Sequence, residues 1–293
     1  MARVPDRRPT RPHGRAGAGR ADPGGPAPGR HHVETGTAEL LADADDPDGW
    51  MVLVNGVPSS YVHLSDPTRL EFEYVRWIGH VLDLAADPGQ PLRVAHLGGA
   101  GCTLARYVAA TRPGSPQVVF EVDAELAALM RSAFGRRGFR VRTADGRAGL
   151  AALPARSRDV VVRDAFVGDS VPAHLSTLEF ARDTARVLAP GGLYVANLGD
   201  REGAPLARAE AATLLAAFAE VAMVGEPGQL RGRRFGNIVL VAGDDPLPLE
   251  GLARRLAGGA VRARLVQPDR VRELAAGIAP LLDDPGRANQ RAR

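Results

Sequence analysis

From Leu92 onward the sequence alternates short apolar strands with helical segments, and that alternation restricts the fold more than any other feature. Apolar or β-branched runs fall at 93–97, 117–122, 139–143, 159–163 and 193–197. Helical spacing lies between them, near 102–111, 123–134, 146–152 and 175–188. Strands this short, separated by helices, predict a parallel sheet covered on both faces. The run Ala189–Pro190–Gly191–Gly192 reads as the turn into the fifth strand. A helix over about 205–219 and strands at 220–224 and 235–242 complete the sheet. The expected class is α/β, a Rossmann-like sheet with helices on both faces spanning 67–243.

Ahead of the sheet, Thr37–Ala42, Trp50–Val54 and Pro58–Leu64 are β-rich and separated by Asp45–Gly49 and by Asn55–Gly56. Both separators are turn signals, so 37–66 predicts a small antiparallel meander. Asp66–Pro67 then predicts a helix start, with an apolar face of Leu70, Tyr74, Trp77, Ile78, Val81 and Leu82 running to about Ala86. Residues 244–293 read as a helical extension.

Residues 1–36 mix Pro, Gly and Arg without apolar periodicity and are expected to be disordered. Residues 1–32 hold seven Arg against two Asp, whereas the whole chain is only +3. The basic pI therefore comes from the tail, and the remainder is close to neutral. This is not the balance of a nucleic-acid binder, though a basic arm touching nucleic acid or acidic lipid stays open. No apolar run approaches the ~20 residues of a membrane span, and no apolar segment follows the basic start as in a secretory signal. The single cysteine, Cys102, precludes an internal disulfide and argues against a Cys-based zinc site. A cytoplasmic setting without a bound metal is the expectation.

In an open parallel sheet, ligands sit outside the carboxyl ends of the strands. Here the first strand runs into Gly98–Gly99–Ala100–Gly101, the second ends at Glu121 with Asp123 next, the third leads to Asp145–Gly146, and the fourth to Asp164. Four strand ends on one edge thus carry a glycine loop or a carboxylate. Each has a plainer alternative. The Gly98–Gly101 run lets a ligand approach the backbone, or is only a tight turn. Glu121, 20 residues past Gly101, suits a ribose diol, or is a solvated strand end. Asp123 fits a helix cap better than a ligand contact. Asp145 and Gly146 suit an adenine amine, or a simple turn. Asp164 suits a catalytic base or amine holder, or a cap. Tyr61, Tyr74 and Trp77 either line the cleft or pack in the core. Asp169 and His174, in the loop after Asp164, face substrate or solvent.

The residues that carry these signals resemble the spermidine synthases over roughly 50–243. The likeness begins at Val52–Leu53–Val54–Asn55–Gly56 with Ser60–Tyr61, and continues through Glu71–Phe72–Glu73–Tyr74. It then takes in His96–Gly101, Arg106, Glu121–Val122–Asp123, Asp145–Gly146 and Asp159–Asp164. The resemblance implies a methyltransferase-type fold and a co-substrate that is S-adenosylmethionine or its decarboxylated form. It implies that Glu121 binds ribose, Asp145 adenine, and Asp164 the attacking amine. The expected partner is a small amine or another nucleophile, with a homodimer as a candidate assembly.

Three departures qualify the resemblance. Gly101 stands where the family has an Asp that grips the aminopropyl amine. The segment Asp164–Ala165–Phe166–Val167 lacks the family's second Asp, and Val75 replaces a polar residue. A dication needs carboxylates to offset its desolvation. The nucleoside half is kept while the polyamine half is eroded. Aminopropyl or other alkyl transfer to an amine is the leading expectation. A methyltransferase and a catalytically silent nucleoside binder are the alternatives. A nicotinamide dehydrogenase fits less well, because Gly99–Leu104 lacks the third glycine of that fingerprint.

Overall fold

Four antiparallel strands precede the main sheet: β1 (Gly29–Val33), β2 (Gly36–Ala42), β3 (Gly49–Val54) and β4 (Val57–His63), in that spatial order. The computed structural model describes residues 25–135, 138–201, 203–259 and 261–284. Asn55 and Gly56 both have positive φ, which the tight β3–β4 hairpin requires.

β1 corrects the expectation that residues up to 36 lack structure; residues 1–24 lie outside the described ones. The strand carries little apolar pattern because His31 and His32 are exposed, and main-chain pairing with β2 forms it instead. The turn that follows is tied to the rest of the molecule. Thr35 donates from its amide (2.8 Å) and its hydroxyl (2.7 Å) to Asp123.

The next helix, α1 (Glu73–Leu84), starts later than Asp66–Pro67 suggested. Asp66 instead accepts from the amide of Thr68 at 3.0 Å, closing a local turn. The main sheet and its helices follow as β5 (Val94–Leu97), α2 (Thr103–Thr111), β6 (Gln117–Glu121), α3 (Ala124–Phe134), β7 (Arg140–Thr143), α4 (Gly146–Ala151) and β8 (Arg158–Arg163). After a short 3-10 turn at 173–175 come α5 (Leu178–Val187), β9 (Leu188–Asp200), α6 (Pro205–Leu215), β10 (Glu220–Gly225), α7 (Pro227–Leu230) and β11 (Gly236–Gly243). The described chain closes with α8 (Leu249–Ala257), β12 (Arg264–Val266) and α9 (Pro268–Ala275).

The sheet order is β12-β10-β11-β9-β8-β5-β6-β7. β7, β6, β5, β8 and β9 are mutually parallel, and β11, β10 and β12 complete the edge in antiparallel pairings. The chain leaves β5 toward β6 and later returns to its other side with β8. That reversal opens a crevice beyond the carboxyl end of β5. Residues 189–192 form an irregularity inside β9, because Arg158 pairs with Leu188 but Val160 with Leu193. β12 was not expected in the C-terminal segment; it pairs with β10, so that segment is joined to the sheet.

Side chains alternate between two cores, as the pleat demands. Val160, Val162, Leu193 and Val195 face α1, α2 and α8, where Ile78, Val108 and Leu252 pack. Val161, Tyr194, Ala196 and Leu198 face α4, α5, α6 and α9, where Leu150, Phe180 and Ala211 pack. Each fully buried Val, Leu, Ile or Phe among them contributes on the order of 1.5–3 kcal/mol. The meander packs Leu40, Trp50 and Val52 on Leu126 and Met130 of α3. That contact holds β4 against the mouth of the crevice.

Candidate active site

The crevice is walled by the carboxyl ends of β5 and β8, the start of α2, strand β4 and the segment leading into α1. Its volume is about 570 Å³ including the open mouth. Gly98, with φ of 96°, cannot carry a side chain: a Cβ would stand 2.3 Å from the carbonyl oxygen of Asp164. The loop and the end of β8 therefore touch backbone to backbone. Ala100 and Cys102 also have positive φ, an unusual conformation for residues with a Cβ.

Glu121, at the end of β6, is buried and grips this loop. One carboxylate oxygen accepts from the amides of Gly99 (2.8 Å) and Ala100 (3.2 Å), and the other from the amide of Asp123 (3.0 Å). A carboxylate offers about four acceptor sites, so roughly one remains for a ligand hydroxyl. Asp123 is committed to protein donors. It caps α3 by accepting from the Leu126 amide at 2.7 Å, and its other oxygen holds Thr35. The cap reading of Asp123 thus describes its contacts, which are all to protein donors.

Asp145 caps α4, accepting from the amides of Arg147 (3.0 Å) and Ala148 (3.1 Å). Its second oxygen lies 2.7 Å from Nε2 of His174. That histidine bond, with the two amides, lowers the Asp145 pKa to about 2 against the cost of burial. His174 therefore faces Asp145, not open solvent. Gly146 is buried with Leu97 over it. Gly101 donates its amide to Ser60 Oγ at 3.0 Å, and a Cβ there would meet Ser60 Cβ and Val62 Cγ2, each at 2.8 Å. The place of the family's loop Asp is thus filled by the meander.

Asp164 follows β8 directly and lines the crevice. Its Oδ1 accepts from Asn197 Nδ2 at 2.9 Å, and the hydroxyl of Tyr74 lies close enough to interact with the same carboxylate. Burial raises the Asp164 pKa, while the Asn197 bond, the Arg163 charge and the Tyr74 hydroxyl act against that rise. Burial and the nearby Asp164 raise the Tyr74 pKa well above its ordinary value, so Tyr74 stays a protonated donor. Glu71 is the second carboxylate in the lining, and no Arg or Lys lines the crevice among the described residues. Burial lowers the pKa of His96, also in the lining, to about 4, so it is neutral at pH 7.

The other two expected substrate residues are placed differently from each other. Tyr61 lines the crevice with its ring, but its hydroxyl donates to Asp43 at 2.9 Å. Asp169 is exposed and accepts from Ser170 Oγ at 3.0 Å, outside the lining. Sequence reasoning missed Ser60 and Asn197. Asn197 had a signal: it is a polar residue in an otherwise apolar strand run, Leu193–Leu198.

No group of three or more metal-binding side chains stands together among the described residues. No helix there is long and apolar enough to cross a membrane.

Fold and crevice together define a Rossmann-like protein of the methyltransferase type. A human methyltransferase-like protein 13 shares the fold, with a TM-score of 0.51 and 23% identity over 64% of this chain and 94% of that one. A probable spermidine synthase from Corynebacterium glutamicum is far more similar: TM-score 0.82 and 39% identity over 88% of this chain and 97% of that one. The chain belongs to the spermidine synthase family. No family model matches it. A polyamine aminopropyltransferase of Vibrio vulnificus is 31% identical over 134 residues, 44% of either chain, so the match spans under half the length of that curated relative.

Proposed function

We propose that the protein is a transferase that takes decarboxylated S-adenosylmethionine and moves its aminopropyl group to a small amine. The charge of the crevice carries this reading. Its lining holds Glu71 and Asp164 and no cationic side chain among the described residues. A cationic tail is offset there, whereas the carboxylate of intact S-adenosylmethionine would be desolvated without a counter-charge. That asymmetry favours aminopropyl over methyl transfer.

When bound, the co-substrate supplies a carbon made electrophilic by its bond to sulfonium. The chain's own residues do the rest. The glycine loop and Glu121 hold the ribose side; a full diol contact would have to replace one of the loop amides now on Glu121. Asp145 faces the adenine side. Asp164 orients the acceptor amine and takes its proton as the nitrogen–carbon bond forms and the carbon–sulfur pair leaves with sulfur. Tyr74 and Asn197 fix that carboxylate. Holding both reactants in one dry crevice supplies much of the rate.

Calorimetry with the two co-substrate forms tests this. The decarboxylated form should bind at least tenfold tighter. Tighter binding of intact S-adenosylmethionine would turn the reading toward a methyltransferase. Binding without turnover across diamines, monoamines and methyl acceptors would mark a silent nucleoside binder.

A further inference from the structure

Arg163 is a charged residue in an apolar strand, and it is fully buried. Its guanidinium donates to the Leu175 carbonyl (3.1 Å), Ser176 Oγ (2.8 Å) and the Asn197 carbonyl (3.0 Å). It also lies 2.9 Å from the buried carboxylate of Glu210 on α6. The alignment of that contact falls short of a good hydrogen bond, so charge attraction carries it. A buried ion pair is weak support for stability, since apolar replacements often do as well. Its position accounts for it better. Arg163 is the chain neighbour of Asp164, and β8 and β9 run parallel with Arg163 opposite Ala196. Asn197 then sits level with Asp164. Its carbonyl takes the guanidinium and its side-chain amide holds Asp164 Oδ1 at 2.9 Å.

We propose that Arg163, anchored by Glu210, is a positioning residue for Asp164: through Asn197 it sets the orientation of the carboxylate. The Arg163 charge also works toward the ionised carboxylate. The chain has Val167 where the family places a second acid, so Asp164 is the one acid left in that segment. The groups that face Asp164 are few. Tyr74 reaches it from α1, Asn197 from β9 and Arg163 from β8. Glu210 and the Tyr194 hydroxyl lie beyond Arg163, and Glu71 is in the same crevice lining. The glycine loop contributes backbone only.

Two variants with opposite expected signs test the proposal in the full chain. Arg163→Met with Glu210→Leu removes both charges at similar volume. Glu210→Gln leaves the Arg163 charge uncompensated. The readout is the titration of the Asp164 carboxyl carbon by NMR, assigned with Asp164→Asn. The double variant should titrate about one pH unit or more higher than wild type, the scale on which a neighbouring Arg acts. Glu210→Gln should titrate lower. The acid limb of kcat/KM should follow in the same directions, with donor binding unchanged. A purely structural pair would leave the Asp164 midpoint in place in either folded variant, and that result overturns the proposal. The kinetic arm rests on the aminopropyl-transfer reading. Absence of turnover by wild type would sink that reading, while the NMR titration still decides the role of Arg163.

Discussion

The acids at the carboxyl edge of the parallel strands are held by two different means. On the side proposed for the nucleoside, Glu121 and Asp145 accept mainly from backbone amides, five between them. On the side proposed for the acceptor, Asp164 accepts from the side chain of Asn197 and interacts with the Tyr74 hydroxyl, from two distant elements. Backbone amides are present whatever the residue, so the nucleoside side tolerates sequence drift around its acids. Side-chain donors must be specified one by one, so the acceptor side can be retuned by single substitutions. The eroded family motif falls on that second side.

The largest expected effect is chemical. Asp164→Asn should bind methylthioadenosine nearly as wild type and turn over about 10²–10⁴-fold more slowly, the usual cost of losing a general base. Single-turnover rates and calorimetry measure the two halves separately. Equal loss of nucleoside affinity would erase the division between the two sides.

A second test reverses a family difference. Gly101→Asp restores the family's acid in sequence, but Ser60 and Val62 occupy the space its Cβ needs. The variant should lose about 1–3 kcal/mol in urea unfolding, the range for overpacking. It should not gain diamine turnover. A stable Gly101→Asp protein that accepts putrescine would show that the meander yields, and that the erosion at this position is superficial.

The same contrast explains what the sequence revealed. Strand ends, glycine turns and helix caps are set by neighbours in the chain, so β5 to β9 and the acids after them were legible. Asp123 and Asp145 cap the helices they precede, as short-range spacing implies. Contacts between remote segments were not legible. β1 lacks an apolar period and exists by pairing, and Thr35 reaches a residue 88 positions away. The Asn197 bridge and the Arg163–Glu210 pair depend on which strands are neighbours. Thr35→Val tests one such remote link. It removes the hydroxyl donor to a buried carboxylate and should cost about 1–2 kcal/mol, in the lower range for a bond to a charged group. An unchanged urea midpoint would make the β1 turn a passive attachment to α3.

The smallest effect concerns Asp145, and its sign follows from linkage. The His174 bond and two amides lower its pKa in the folded state to about 2, below the ordinary value of 3.8. A carboxyl with a depressed folded pKa stabilises the fold above its unfolded pKa, and that stability is lost as pH falls through the folded value. The window therefore runs from about pH 4 down to about pH 2. One proton changes stability by at most about 1.4 kcal/mol per pH unit. The Asp145 side chain is 34% exposed, so screening keeps the effect below that ceiling. His174→Gln removes the largest cause and should flatten the acid slope of the urea midpoint. Its stability at pH 7 should fall only slightly, because the two amides still cap α4. Adenosine affinity in the same variant sharpens the comparison of the two sides. If Asp145 meets adenine with its His174-facing oxygen, freeing that oxygen should strengthen binding or leave it unchanged. A marked loss would instead show that His174 aims the carboxylate, and that the nucleoside side also relies on a specified side-chain partner.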